Sequence, residues 1–404
     1  MPNKSICIAG KNSIAIAGLS YVIDNYNKTH KIFALGDKND FGKDSWQPSY
    51  IKYAKENYIH VLELDELYEI DNLCFISLEY FKLIDPLKFK SAKLFNIHFS
   101  LLPAYQGMYT SAHPILNNEK KTGCTIHEID AGIDTGSIIS QIEFNIDADD
   151  TCKDVYAKYL KNGRDLTFNT IDSLIADSYQ AQPQSEKGSS YYSKKSIDYS
   201  NISLDFNQKA QNVSNQIRAY TFRDYQLPKF DGIDIFGCKI SNIFSNRAPG
   251  SIISTKKNSY TVSTKDYDVT LFFDNFDNFI ESVASNNLKN VIEAINLNPF
   301  VINEKNEQGW TGLIIASYNG FDDITDFLLK SNADPNLTNL KGTTPLMYAK
   351  DCYQNSGNTH GIKALINAGA KIEAKDIFRK NIYDYLDKDS IYYNEIFNLL
   401  EIYK

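Results

Sequence analysis

LFNIHFSLLPAYQG, residues 94–107, reads as one strand running into one loop. Leu94–Phe99 alternates as a half-buried strand does, and Pro103 and Gly107 then break the pattern. Side chains two residues apart on a strand share a face, so Asn96 and His98 point the same way. Upstream, short apolar runs alternate with helical spacings. Ser5–Ala9, Lys31–Leu35, His60–Leu64 and Leu73–Leu78 read as strands, and Ile14–Tyr26 and Pro48–Asn57 as helices. This rhythm predicts an α/β fold with a doubly wound, mostly parallel sheet. Gly10 follows the first strand without a full GxGxxG, so a dinucleotide site is not supported. Downstream, Gly123–Ile129 and Ser137–Ile142 form a strand pair joined by Asp130–Gly136, and Lys153–Ala176 has helical periodicity.

Residues 178–190 are polar and turn-rich, as a connector is. A helical stretch at Asn207–Tyr220 follows, and 228–275 carries short strands such as Ile233–Ile240 and Tyr260–Ser263. The expected domains are 1–200, α/β; 201–275, small and β-rich; and 276–404, α-helical. The last of these contains an internal repeat. Gly309 and Gly342 lie 33 residues apart, Leu313–Ala316 aligns with Leu346–Ala349, and the second unit carries a four-residue insertion near Gln354–Thr359. The period and the G-x-T-P-L start resemble ankyrin repeats, with weaker flanking units at 276–305 and 372–400.

Composition narrows the function. With 404 residues and 43% hydrophobic content, the chain is long enough for two or three packed domains. A net charge of −8 leaves no basic surplus for a long nucleic acid. No signal-peptide pattern and no run of 18 apolar residues appear, so neither export nor a membrane span is expected. Six scattered cysteines without a CxxC pair read as reduced thiols in a cytoplasmic protein, and no His/Cys cluster has metal spacing.

Phe95–Pro103, Tyr105–Gly107, Thr122–His127 and Asp130–Gly136 together resemble the signature of the folate-dependent formyltransferases: N-x-H-x-S-L-L-P-x-Y-x-G, then T-G-x-T, then D-x-G. About a dozen positions coincide over roughly 40 residues, which makes the signal specific. The resemblance implies a catalytic set of Asn96, His98 and Asp134, with N10-formyltetrahydrofolate as formyl donor and no metal. Such a transfer needs a donor for the oxyanion and a base for the attacking amine. Asn96 suits the first role; His98 suits the second, or acts as an electrostatic partner of the oxyanion, with Asp134 orienting the imidazole or a water. Family analogy also points to Ser77 and Leu78, at a strand's C-terminal end, for the pterin. Asp130 either bonds the pterin or only shapes its loop. His127 reads first as a hydrogen-bonded structural histidine, with a substrate contact as the alternative, and His113 as a helix-start residue before Pro114.

Within the family, purine-pathway enzymes lack the later β domain, and methionyl-tRNA enzymes must hold a nucleic acid. Gln106 stands where the latter usually carry arginine, and Met108-Tyr109 replaces their Ala-Pro pair. Residues 216–228 (QIRAYTFRDYQLP) and Ala248-Pro249-Gly250 resemble the sugar N-formyltransferases. The expected acceptor is a nucleotide-linked amino sugar, best a dTDP-3-amino-3,6-dideoxy-D-glucose, in surface-polysaccharide (O-antigen) synthesis. Tyr105, Met108 and Tyr109 are expected to line the hexose pocket. Tyr220 and Phe222 contact sugar or pyrophosphate, or else pack the core. A homodimer follows by analogy. Ankyrin arrays usually bind proteins, but Trp310 sits in an outward turn and could stack on a base, which suggests a second nucleotide-sugar site. Rivals are another formyltransferase (methionyl-tRNA or 4-amino sugar), a formate-releasing hydrolase, and a non-catalytic ankyrin binding protein.

Overall fold

The computed structural model describes residues 4–90 and 92–403, which fall into two compact units. One runs to Asp44 and resumes over Pro48–Lys229; the other holds Ser45–Gln47 and the chain from Phe230 onward.

The first unit is built on strands β1 (Ser5–Gly10), β2 (Lys31–Gly36), β3 (His60–Val61), β4 (Leu73–Leu78), β5 (Ala92–His98), β7 (Lys121–Glu128) and β8 (Ile138–Asn145), with the short β6 (Gln106–Gly107) and β9 (Tyr191–Tyr192) apart from the main sheet. Helices α1 (Asn12–Tyr26), α2 (Tyr50–Glu56), α3 (Leu64–Leu67), α4 (His113–Leu116), α5 (Cys152–Ala176) and α6 (Ala210–Tyr220) complete it. The main sheet has the order β3-β2-β1-β4-β5-β7-β8. It is parallel through β5, and β7 and β8 then run antiparallel. The chain winds outward in one direction from β1 to β3 and in the other from β4, so the topological switch lies between β1 and β4. Open α/β sheets leave a crevice there, beyond the strands' C-terminal ends.

Both faces of this sheet are covered, as a parallel sheet requires. On one face α1 and α5 approach so closely that a Cβ on Gly163 would stand 3.0 Å from both Ile14 and Ile97 side chains. On the other, Cys7, Ala9, Leu35, Leu67, Phe75 and Leu94 form one buried cluster. Thr151 and Asp154 start α5 with reciprocal bonds, each side chain accepting the other's backbone N–H. The expected strand at His60–Leu64 is shorter than its sequence pattern. Only His60 and Val61 pair with β2, because the Glu66 carboxylate accepts the Glu63 N–H at 2.8 Å and turns the chain into α3.

A second sheet, of β10 (Lys229–Phe230), β11 (Ile233–Ile240), β12 (Ile252–Lys256), β13 (Ser259–Val262) and β14 (Val269–Phe273) in the order β10-β11-β14-β13-β12, belongs to the second unit from Phe230 onward. Helices follow: α7 (Phe276–Ala284), α8 (Leu288–Leu297), α9 (Gly312–Asn319), α10 (Asp322–Lys330), α11 (Pro345–Ser356), α12 (His360–Asn367) and α13 (Tyr393–Ile402). The 33-residue repeat has a local cause. Asn306 accepts the N–H groups of Gln308 and Trp310, and Asn339 those of Lys341 and Thr343. Gly309 (φ +76°) and Gly342 (φ +83°) supply the left-handed turn in each. Thr311 and Thr344 then cap α9 and α11 by accepting N–H groups three residues on. The four-residue insertion lengthens α11 to 12 residues against 8 in α9, about one helical turn. All six cysteines are free thiols. No helix among the described residues is long and apolar enough to cross a membrane, and none of their side chains group as metal ligands.

Candidate active site

Strand register assembles the site. β5 lies between β4 and β7, which places Ser77 and His127 on either side of Asn96. The Ser77 hydroxyl donates to Asn96 Oδ1 at 2.7 Å, and Asn96 Nδ2 stands 3.2 Å from His127 Nε2. His127 Nδ1 lies 2.6 Å from the Glu128 carbonyl, which can only accept, so Nδ1 carries the proton. Nε2 is then an acceptor and takes one N–H of Asn96. Between them, Ser77 and His127 fix which way the Asn96 amide faces and leave its second N–H for a ligand.

Asp134 reaches the same place from the loop after β7. Its backbone is left-handed (φ +55°). Its carboxylate lies 3.4 Å from His98 Nδ1 and 3.6 Å from His127 Nε2, and it accepts the Gly107 N–H at 3.0 Å. His98 Nε2 donates to the Tyr105 carbonyl at 2.8 Å. Both nitrogens of His98 therefore face acceptors, and a second proton on this ring is met at Nδ1 by a carboxylate. His98 is only 7% exposed, and burial pushes its imidazole below the ordinary value, opposed by the Asp134 charge and the Tyr105 carbonyl. Burial alone would raise the Asp134 carboxyl, but the His98 charge and the Gly107 N–H work against it and the carboxyl comes down to about 2. At neutral pH the pair is an ionised carboxylate beside a neutral imidazole. Such a set can donate to a developing oxyanion from Asn96 and take a proton at His98.

The other residues singled out from the sequence occupy varied settings. Asp130 accepts from the Gly132 N–H and the Thr135 hydroxyl, as a loop-shaping carboxylate does. Leu78 is buried, and its carbonyl lies against Gly10, where a Cβ would come within 2.0 Å. The Tyr105 ring stacks on Tyr192 and its hydroxyl donates to Glu119; its backbone carbonyl, not its ring, meets His98. Met108 is 43% exposed, while the Tyr109 hydroxyl donates to the Lys194 carbonyl. Tyr220 stands edge-on to Tyr199, and Phe222 is buried against Tyr156 and Tyr225. Trp310, in the other unit, does not project alone: its ring lies 5.3 Å from Tyr318 and 4.8 Å from Tyr348.

Sequence reasoning missed what His127 touches. The signal was present, since Thr125 and His127 alternate on β7 as Asn96 and His98 do on β5. It also missed the polar connector, whose Gln184 reaches the Asp134 loop.

Comparison with known proteins matches three stretches of the chain to known families. Residues 63–171 match the formyl transferase family, residues 196–272 the formyl transferase C-terminal domain, and residues 280–376 a set of three ankyrin repeats. WlaRD, a sugar 3N-formyl transferase crystallised in the presence of dTDP and 5-N-formyl-THF, is 41% identical; the match covers 67% of this chain and 98% of that one, with a TM-score of 0.63. An N-formyltransferase from Helicobacter canadensis, solved in complex with folinic acid and dTDP-3-aminofucose, is 39% identical over 67% of this chain and 100% of its own, with a TM-score of 0.63. Methionyl-tRNA formyltransferase of Clostridium tetani is 30% identical over 178 residues, 42% of this chain and 55% of the relative. The chain spans about half the length of the curated relatives it matches. A chain that carries both formyltransferase domains, and aligns with almost all of a sugar-modifying relative, belongs to the formyltransferase family.

Proposed function

We propose that this protein moves the formyl group of N10-formyltetrahydrofolate onto the amino group of a nucleotide-linked amino sugar. The observation that carries the reading is the Asn96–His98–Asp134 cluster, oriented by Ser77 and His127, in a chain 41% identical to a sugar 3N-formyl transferase. The free N–H of Asn96 donates to the oxyanion formed when the amine attacks the formyl carbon. His98 takes the amine's proton, and Asp134 stabilises the imidazolium that results. As the oxyanion collapses, the bond between the formyl carbon and N10 breaks, the proton held by His98 passes to N10, and the products are the formamide of the sugar and tetrahydrofolate. Leu78 meets the pterin through its backbone, since the Ser77 hydroxyl is spent on Asn96; Asp130 holds the shape of the neighbouring loop.

The acceptor we favour is a dTDP-3-amino-3,6-dideoxyhexose, with dTDP-3-amino-3,6-dideoxy-D-glucose first, made in the cytoplasm for surface polysaccharide such as O-antigen. Relatives solved with dTDP and with dTDP-3-aminofucose support this choice. Met108, Tyr109 and Tyr220 are the side chains proposed to meet the sugar; Tyr105 contributes its carbonyl to His98, and Phe222 packs behind Tyr225. The net charge of −8 weighs against methionyl-tRNA. A homodimer is proposed through the edge strand β12, where Ile252 and Ile253 stand exposed. The Trp310–Tyr318–Tyr348 group is proposed as a second nucleotide-sugar site, because clustered rings offer a face to a base. Isothermal titration of dTDP-sugar showing one site per chain, unchanged in Trp310→Ala, would remove that second site.

The reaction is tested by mixing the protein and N10-formyltetrahydrofolate with dTDP-3-amino, dTDP-4-amino and UDP-4-amino sugars. Formylation of the dTDP-3-amino sugar at the highest kcat/KM is expected. Preference for a 4-amino sugar, or consumption of the folate with no amine present, overturns the assignment.

A further inference from the structure

The polar connector after α5 folds back over the site. Gln182 and Ile138 exchange both backbone hydrogen bonds at 2.8 Å. The Gln184 side chain then donates to the Asp134 carbonyl at 2.7 Å and to the Gly136 carbonyl at 2.8 Å. Its own carbonyl accepts from Gln106 Nε2 at 3.2 Å, and that amide also reaches the Asp134 carbonyl at 3.3 Å. Further along, Ser190 accepts the N–H groups of Tyr105 and Gln106, and the Tyr192 carbonyl accepts that of Met108. One segment thus ties down two loops. The first carries the Tyr105 carbonyl and the Gly107 N–H, which contact His98 and Asp134 respectively. The second carries Asp134 itself. Tyr105 (φ +60°) and Asp134 (φ +55°) both hold left-handed backbone, a conformation that aspartate adopts more readily than tyrosine.

We propose that Gln184 is a positioning residue: by holding the carbonyls of Asp134 and Gly136 it keeps the Asp134 carboxylate against His98, and so couples the connector to the catalytic unit at this one side chain. The inference rests on the formyl-transfer reading above, but its geometry stands apart from the identity of the acceptor. Gln184 touches neither reacting group. It acts through Asp134, so its loss moves kcat and the His98 protonation equilibrium together. The groups facing His98 are Asp134 from its loop, His127 from β7 and the Tyr105 carbonyl; only the first is tied directly to Gln184.

Gln184→Met keeps the length of the side chain and removes its donors. In the full chain, kcat for formyl transfer is expected to fall at least tenfold, with KM for each substrate within threefold. The NMR titration midpoint of His98, one of only six histidines, is expected at lower pH than in the wild type, because the neighbouring carboxylate has withdrawn. Lys187→Ala, on the exposed part of the same connector, is the control and changes neither. If Gln184→Met does not fold, Gln184→Ala is titrated in its place. A folded variant with unchanged kcat and an unmoved His98 midpoint overturns the proposal. Should the wild type itself formylate no amino sugar, the functional reading fails, and the NMR midpoint still decides the role of Gln184.

Discussion

Asp134→Asn isolates the charge of the carboxylate from its shape. The asparagine keeps an oxygen for the Gly107 N–H and can hold the loop, but it presents no anion to His98. At 3.4 Å a full charge pair is worth about 5 kcal/mol at an effective dielectric of about 20. Part of this survives as a dipolar contact, so we take about 2–3 kcal/mol as the loss when His98 becomes an imidazolium in the transition state. That corresponds to roughly a 30- to 150-fold fall in kcat. The pH profile supplies the sign. Asp134 raises the His98 imidazole against the lowering effect of burial. Removing the charge lowers it further, so the neutral base persists to lower pH and the acidic limb of kcat shifts down while the plateau drops. The assay is kcat against pH with saturating folate and amino sugar. A plateau within threefold of wild type, or an acidic limb that stays in place, would refute the reasoning.

Other perturbations probe separate parts of the structure. His127→Leu removes the acceptor that orients Asn96, and kcat is expected to fall about tenfold, the worth of one hydrogen bond of ~1.4 kcal/mol. His127→Gln, which restores an acceptor, recovers part of that loss; equal rates for the two variants would contradict the orienting role. Burial lowers the His113 imidazole to about 4, while its Nε2 bonds Ser196 and its ring stacks on Tyr192. The unfolded chain therefore binds this proton more readily, and stability falls as pH drops from ~6.5 toward 4, by at most about 3 kcal/mol. Urea titrations at pH 7 and 4.5 should show a smaller difference in His113→Gln than in the wild type. Gly123→Ala sets a Cβ 2.1 Å from the Ile142 carbonyl and 2.5 Å from Leu101. Neither the strand nor the packed leucine yields freely, so a loss of about 1–3 kcal/mol is expected in the same titration.

Periodicity made much of the fold legible. The βαβ rhythm of the first hundred residues is the observed sheet, and the alternation of Asn96 and His98 holds because β5 is a regular strand. The repeat was legible for a more local reason: Asn306 and Asn339 make the same turn, and Thr311 and Thr344 the same cap. What escaped were interactions between distant segments. Nothing in the spacing from His98 to Asp134 says that a left-handed loop closes it, and family resemblance carried that residue. The 178–190 segment read as a spacer because it is polar. The Gln184 amide instead bonds the backbone carbonyls of Asp134 and Gly136, a use of glutamine that composition does not distinguish from solvation. His60–Leu64 read as a strand through its apolar positions, and the Glu63–Glu66 contact overrode them.

The central claim is that the Asn96–His98–Asp134 set moves a formyl group to a sugar amine. The most direct measurement supplies N10-formyltetrahydrofolate labelled with 13C in the formyl group, together with dTDP-3-amino-3,6-dideoxy-D-glucose, and follows the label by NMR. The account expects the label to appear as a formamide on the sugar with the wild type, and that signal to be lost in Asn96→Ala and His98→Ala. Label released as formate, or an undiminished rate in both variants, would contradict it.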